Sequence, residues 1–266
     1  MGYDTGTDML QVEATGGVAT VTFNHPARHN ALSVEMRDAI PGALQALDED
    51  PDVRVVVLRG AGERAFMSGA DISEFGSRRT SVDARADYDR GAAAAGRAWA
   101  AFGKPLIARI HGYCIGGGLL TALAADIRLA ADDAQFGVPA ARLGLGYGMR
   151  GVETLVDAVG QSWAAEILFS ARRLSAAEAL QAGLVNRVVP AAELGAEVDA
   201  LAQSIAANAP LTVAACKAAL REARRPPGQQ DREAVAALVE ACFRSEDYRE
   251  GQRAFAERRT PEFRGR

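Results

Sequence analysis

Two glycine-containing stretches could present bare backbone N–H groups to a ligand. The first is RAFMSGADISEF, residues 64–75, where Gly69 ends an extended run and Asp71 could begin a helix. The second is HGYCIGGGLLTALAAD, residues 111–126, where Gly116, Gly117 and Gly118 open an apolar helical run. The first N–H groups of a helix have no partner within it and lie at its positive end. Glycine leaves room for another group to approach them. Two such N–H groups aimed at one point would stabilise the negative charge that develops on a carbonyl or thioester oxygen during reaction. Either turn alone is explained as well by local geometry. The first helical turn after the glycines, Leu119, Leu120 and Thr121, supplies no acid, base or metal ligand.

The flanking elements predict how these turns are held. MLQVEA and VATVTFN, divided by Gly16 and Gly17, read as a β-hairpin. Ser33 reads as the cap of a helix whose apolar side chains Met36, Ile40, Leu44 and Leu47 follow helical spacing. Pro41 lies inside that pattern and is expected to kink or divide the helix. VRVVVLRG has the β-branched run of a strand buried on both faces, and PLIARIHG and DIRLAA read similarly. A glycine-opened helix between such strands predicts an α/β layout with crossover connections. Residues 80–101 predict an alanine-rich surface helix, and residues 150 onward are mainly helical apart from an extended LVNRVV. Gly183 is placed to stop a helix. The division predicted is an α/β core over residues 1–190 and a helical part over residues 191–266.

At 266 residues, with 48% hydrophobic and 24% charged side chains, the chain has the composition of a soluble globular protein. Its net charge of −4 argues against general nucleic-acid binding. The three cysteines, Cys114, Cys216 and Cys242, show neither disulfide-framework nor metal-site spacing, which fits a reducing cytoplasm. Asp4 and Asp8 precede any apolar run, so no signal peptide is expected. No run approaches the roughly 20 apolar residues of a membrane span.

FMSGADISEF, HGYCIGGGLL and AADIRLAADDAQFGVPAARLGLGYG together, in this order, resemble the signature segments of the crotonase (enoyl-CoA hydratase/isomerase) superfamily. The resemblance extends through ATVTFNHPARHNAL, AAEALQAGLVNRVVP, NAPLTVAACKAAL and EGQRAFAERRTPEF. It implies a ββα spiral core, a helical part that packs in trimers or in hexamers made of two trimers, and an acyl-CoA ligand. CoA would enter as part of the substrate, with no permanently bound cofactor and no metal. It further implies an oxyanion hole formed by the N–H groups of Ala70 and Gly117. Arg28 would lie near the CoA phosphates, and Ser68, Ala70, Asp71 and Ile72 along the adenine and pantetheine path. Arg258 or Arg259, with Phe255, would reach a neighbouring subunit's CoA. Arg28 as a solvated charge and Asp71 as a helix cap are the plainer readings.

Hydratases of this superfamily carry two glutamates, one three residues after the middle glycine of the GGG run and one directly after FGxP. Here those positions are Leu120 and Ala140, in unshifted register. The resemblance therefore implies acyl-CoA binding with poor hydration by the two-glutamate route. Tyr147 in LGLGYG is similar to an arrangement in methylmalonyl-CoA decarboxylases of the superfamily, although Ala70 stands where those enzymes can have histidine. Three readings follow: an enolate-stabilising enzyme, a non-catalytic acyl-CoA carrier, or a hydratase with carboxylates from elsewhere, such as Glu74 or Glu153. Arg150 could meet a substrate carboxylate or pair with Glu153. Cys114 reads as core, His111 as a hydrogen-bonding group at a strand end, and Asp126 as a turn cap.

Overall fold

The computed structural model describes residues 1–71 and 82–266. Its first strands are β1 (Gly2–Tyr3), β2 (Leu10–Thr15) and β3 (Val18–Phe23). Gly16 and Gly17 make the β2–β3 turn with φ of 58° and 81°, a left-handed conformation that glycine adopts at little cost. Helix α1 (Val34–Glu49) starts where expected, with the Ser33 side chain accepting the Met36 N–H. Pro41 does not divide it; one continuous helix runs through, holding Met36, Ile40, Leu44 and Leu47 on its buried face. That apolar face supplies the tertiary packing that offsets the proline.

Strands β4 (Val55–Gly60), β5 (Ala65–Met67), β6 (Leu106–Ile110) and β7 (Tyr113–Ile115) follow, with helix α2 (Val82–Ala101) between β5 and β6. Helix α3 (Gly117–Leu123) leads to β8 (Ile127–Ala131) and β9 (Gln135–Gly137). Helix α4 (Met149–Ser170), β10 (Leu174–Ser175), α5 (Ala176–Gln181) and β11 (Arg187–Val189) complete the strand-bearing part. Gly183, at φ 75°, follows α5 as its stop. Four helices end the chain: α6 (Leu194–Ala206), α7 (Pro210–Ala223), α8 (Arg232–Arg244) and α9 (Glu246–Glu257).

The main sheet has order β1-β2-β3-β4-β6-β8-β11 and is parallel from β3 onward. A second sheet, β10-β9-β7-β5, is parallel across β5, β7 and β9. Alternation along β4 explains its unbroken β-branched run. Val56 and Leu58 enter the large core with Phe23, Phe66 and Phe136, while Val55 and Val57 pack under Leu194, Val198 and Ala202 of α6. Both faces are covered, as a parallel sheet requires. The repeated strand–strand–helix passage places the ends of β5 and β7 side by side, so the two glycine turns meet.

Candidate active site

Ala70 follows the end of β5 and is shaped by the chain at 25–32. A short turn at Pro26–Arg28 is followed by His29 and Asn30, both left-handed, at φ 52° and 55°. Asparagine tolerates this conformation through local hydrogen bonding. The buried Asn30 amide donates to the carbonyls of Ala61 (3.0 Å) and Ala65 (2.8 Å) and accepts the His25 N–H at 3.0 Å. The Ser68 N–H donates to the His29 carbonyl (3.1 Å), and the Ser68 hydroxyl to that of Arg28 (3.1 Å). Leu32 then forms one parallel bridge to Ala70. Its N–H donates to the Gly69 carbonyl at 2.7 Å, and its carbonyl accepts the Asp71 N–H at 3.1 Å. Such a bridge uses the groups flanking Ala70 and turns Ala70's own N–H away. Among the described residues that N–H has no acceptor.

The second donor begins at the end of β7. Gly116 has φ 56°, and its N–H is taken by the Gly137 carbonyl at 2.8 Å. Gly117 is the first residue of α3, where no acceptor exists within the helix. A Cβ on Gly118 would overlap the Met67 carbonyl, so only glycine lets α3 press against β5. That contact sets the spacing of the two turns: a Cβ on Gly117 would lie 3.5 Å from the Ala70 nitrogen. Among the described residues neither N–H has an acceptor, and the two lie close together.

The residues that follow the second turn are mainly apolar. Leu120 lies in the first turn of α3, its N–H bonded to the Gly116 carbonyl at 3.2 Å. Ala140 lies in the 3-10 turn Pro139–Leu143, whose Pro139 Cδ is 3.9 Å from the place of a Cβ on Gly116. Leu120, Ala140 and Tyr147 pack on the same core cluster. The Tyr147 ring rests against Gly151, and its hydroxyl is buried without a partner among the described residues. Burial pushes that phenol up to about 12, so it is a neutral O–H at physiological pH.

A sequence model of the enoyl-CoA hydratase/isomerase family matches residues 13–266. This chain belongs to that family. It is 37% identical over 249 residues to a probable mitochondrial enoyl-CoA hydratase of Dictyostelium discoideum, covering 94% of this chain and 88% of the relative. It is 35% identical to a short-chain-enoyl-CoA hydratase of Clostridium acetobutylicum, covering 93% and 94%. An enoyl-CoA hydratase/carnithine racemase structure from Magnetospirillum magneticum superposes with a TM-score of 0.91 at 37% identity, covering 98% and 97%. The crotonase-like α/β fold is thereby established.

The remaining residues of this enoyl-CoA hydratase/isomerase family member divide by location. Asp71 is buried and its carboxylate is 3.8 Å from the Arg28 guanidinium, which is itself 55% exposed. Ser68 and Asp71 thus both contact Arg28, while Ile72 and Glu74 lie outside the described residues. Arg150 does not pair with Glu153. Its guanidinium donates to the Gly96 carbonyl of α2, because the bare Gly96 backbone lets it approach, while Glu153 stays in solvent. Cys114 is fully buried, and burial pushes its thiol far up, which leaves it a core side chain. Asp126 caps as expected, accepting the Leu106 N–H at 2.7 Å and the Lys217 ammonium at 3.0 Å. His111 differs: its backbone carbonyl accepts the Phe66 N–H at 2.9 Å, but its Nε2 is buried with no partner among the described residues. Arg259 is held by Glu250 and Glu257 of its own chain, and Phe255 is 88% exposed beside Arg258. Asn30, the buried hub behind Ala70, was not foreseen; its only sequence signal was an asparagine next to a turn.

Proposed function

We propose that this chain binds an acyl-CoA thioester and stabilises its enolate through the N–H groups of Ala70 and Gly117. The observation that carries this reading is the pair of backbone donors that lie close together and have no acceptor among the described residues. A removed oxyanion-hole donor typically costs about 10²–10³-fold in rate. Positioned acid–base groups contribute about 10²–10⁴-fold. Leu120 and Ala140 can transfer no proton, so hydration by the two-glutamate route is closed, and decarboxylation or double-bond movement is favoured over adding water. Arg28, Ser68, Asp71 and Ile72 would border the CoA moiety.

A second reading has Tyr147 as the polar group at the acyl end, which suits a decarboxylase for a methylmalonyl-CoA-like substrate. The buried, unpartnered phenol favours it, since a substrate oxygen would satisfy a donor that the protein leaves orphaned. If no chemistry occurs, the same apolar walls fit a carrier that holds acyl-CoA without turnover. No described helix is long and apolar enough to cross a membrane. Three cysteines without disulfide-framework spacing favour a reducing compartment, and we propose the cytoplasm. A trimer, or two paired trimers, is supported by α8, which buries no residue and exposes Leu238, Val239 and Phe243.

The test screens acyl-CoAs for thermal stabilisation, then assays the binders for hydration, CO2 release and double-bond movement. Binding with CO2 release or isomerisation is expected. Crotonyl-CoA hydration at ordinary enzymatic rates would overturn the reading, and binding without any turnover would select the carrier.

A further inference from the structure

A second polar cluster lies at the C-terminal end of the main sheet. Parallel register places Thr22 of β3 beside Arg59 of β4, and Arg59 beside Arg109 of β6. Neighbouring strands stand about 4.8 Å apart, so the two arginines emerge side by side on one face. Each lies two residues beyond Val57 or Ile107, which pack under α6, so this is the face that α6 covers. The Arg59 Nε donates to the Thr22 hydroxyl at 3.1 Å. Among the described residues no carboxylate lies within 4.0 Å of either guanidinium. Arg109 has no hydrogen-bond partner there at all, and its Nε is buried.

Arg109 is also seated at the wrong end of a helix. A Cβ on Gly195, in the first turn of α6, would lie 3.1 Å from one Arg109 Nη and 3.5 Å from the other. Helix N-termini favour anions and disfavour cations. This one has no side-chain cap, and its first-turn acid, Glu197, faces Arg187 at 3.6 Å instead. Two residues past Arg109, His111 is 9% exposed, and its buried Nε2 is likewise unpartnered. Among the described residues, the two adjacent cations have no anion beside them, the helix N-terminus has no side-chain cap, and the imidazole nitrogen has no hydrogen-bond partner.

We propose that Arg59, Arg109, the first turn of α6 and His111 form a site for a tetrahedral oxyanion of the phosphate class. Phosphate at neutral pH carries about −1.5 to −2 charge, which matches two guanidiniums better than a carboxylate does. Glu63 and Asp133 also face His111 and oppose an anion there, so the two guanidiniums and the helix N-terminus must outweigh them. The ligand is free phosphate or the phosphate of a small ester.

The test titrates inorganic phosphate, and separately phenyl phosphate, into the full-length protein at constant ionic strength, with and without saturating CoA. Saturable binding that CoA leaves unchanged is expected. Arg109→Gln and Arg59→Gln should each weaken it by about tenfold or more. Phenyl phosphate binding as well would identify an ester ligand, and phosphate alone the free ion. The imidazole NMR signal of His111, facing Arg59, Arg109, Glu63 and Asp133, should titrate at higher pH with phosphate bound, a readout that survives if a variant fails to fold. Competition with CoA, equal binding by wild type and variants, or an unmoved His111 signal would overturn the proposal.

Discussion

A Cβ added to Gly117 would stand 3.5 Å from the Ala70 nitrogen, an ordinary van der Waals distance, whereas one added to Gly118 would overlap the Met67 carbonyl. Neighbouring glycines thus serve different ends. Gly117→Ala should fold with near-normal stability but place a methyl between the two donors, reducing turnover by about 10²–10³-fold. Gly118→Ala should lose about 1–3 kcal/mol of stability by overpacking. Denaturant titration with a thioester assay separates the two; equal stability loss in both would remove the distinction.

Leu120→Glu combined with Ala140→Glu should create hydratase activity towards crotonyl-CoA while the wild type stays near background. Each restored acid or base is worth about 10²–10⁴-fold when correctly placed. Normal CoA binding without any gain would mean that the pocket differs in more than these two side chains.

Tyr147 predicts a stability change in alkali. Burial raises its phenol to about 12 from the ordinary 10.0. An acid raised in the folded state contributes stability that is complete below the unfolded value and is lost as pH climbs through the folded one. Wild type should therefore lose stability between pH 10 and about 12 relative to Tyr147→Phe, which also removes an orphaned hydroxyl and should gain about 1–3 kcal/mol at neutral pH. A variant less stable than wild type at pH 7 would show that the hydroxyl is satisfied in the free protein.

At the acid end, burial, with help from Arg109, lowers the His111 imidazole below its ordinary 6.5. A group lowered in the folded state contributes stability that is present above the unfolded value and lost as pH falls. Without added phosphate, wild-type stability should decline below pH 6.5, and His111→Asn should flatten that decline. Parallel pH curves for the two proteins would exclude His111 as the cause.

The contact of Arg150 with Gly96 predicts a coupled pair. Gly96→Ala should displace the exposed guanidinium from the Gly96 carbonyl, at a cost of less than about 1 kcal/mol because the side chain can swing into solvent. In an Arg150→Ala background the same change should cost far less, because the clash is gone. Additive effects in the double-mutant cycle would show the two residues to be independent.

What was legible in the sequence was mostly what depends on local pattern. The β-branched runs, the Ser33 cap and the Gly183 stop follow from nearest-neighbour physics, and all appear in the fold. The glycine turns could be seen as donors, but only the second sheet brings them together. Its strands are as short as two or three residues, too brief to show a period. Arg150 was misjudged because helical spacing offers Glu153, while the acceptor actually used lies on another helix. Asn30 was missed because its partners, Ala61 and Ala65, are carbonyls that any sequence would supply. The row from Thr22 through Arg59 to Arg109 exists only through strand register, which no single segment encodes.

The single bridge between Leu32 and Ala70 has a consequence for how such a chain can change. The donor it leaves over belongs to the peptide unit, so exchanging side chains around it cannot delete it while the bridge stands. If Ala70 and Gly117 form the proposed oxyanion hole, mutation at positions 120 and 140 can erase one reaction and admit another without first rebuilding the means of polarising a thioester. On that reading the fold keeps a reactive capacity in reserve, heritable separately from the chemistry it happens to serve.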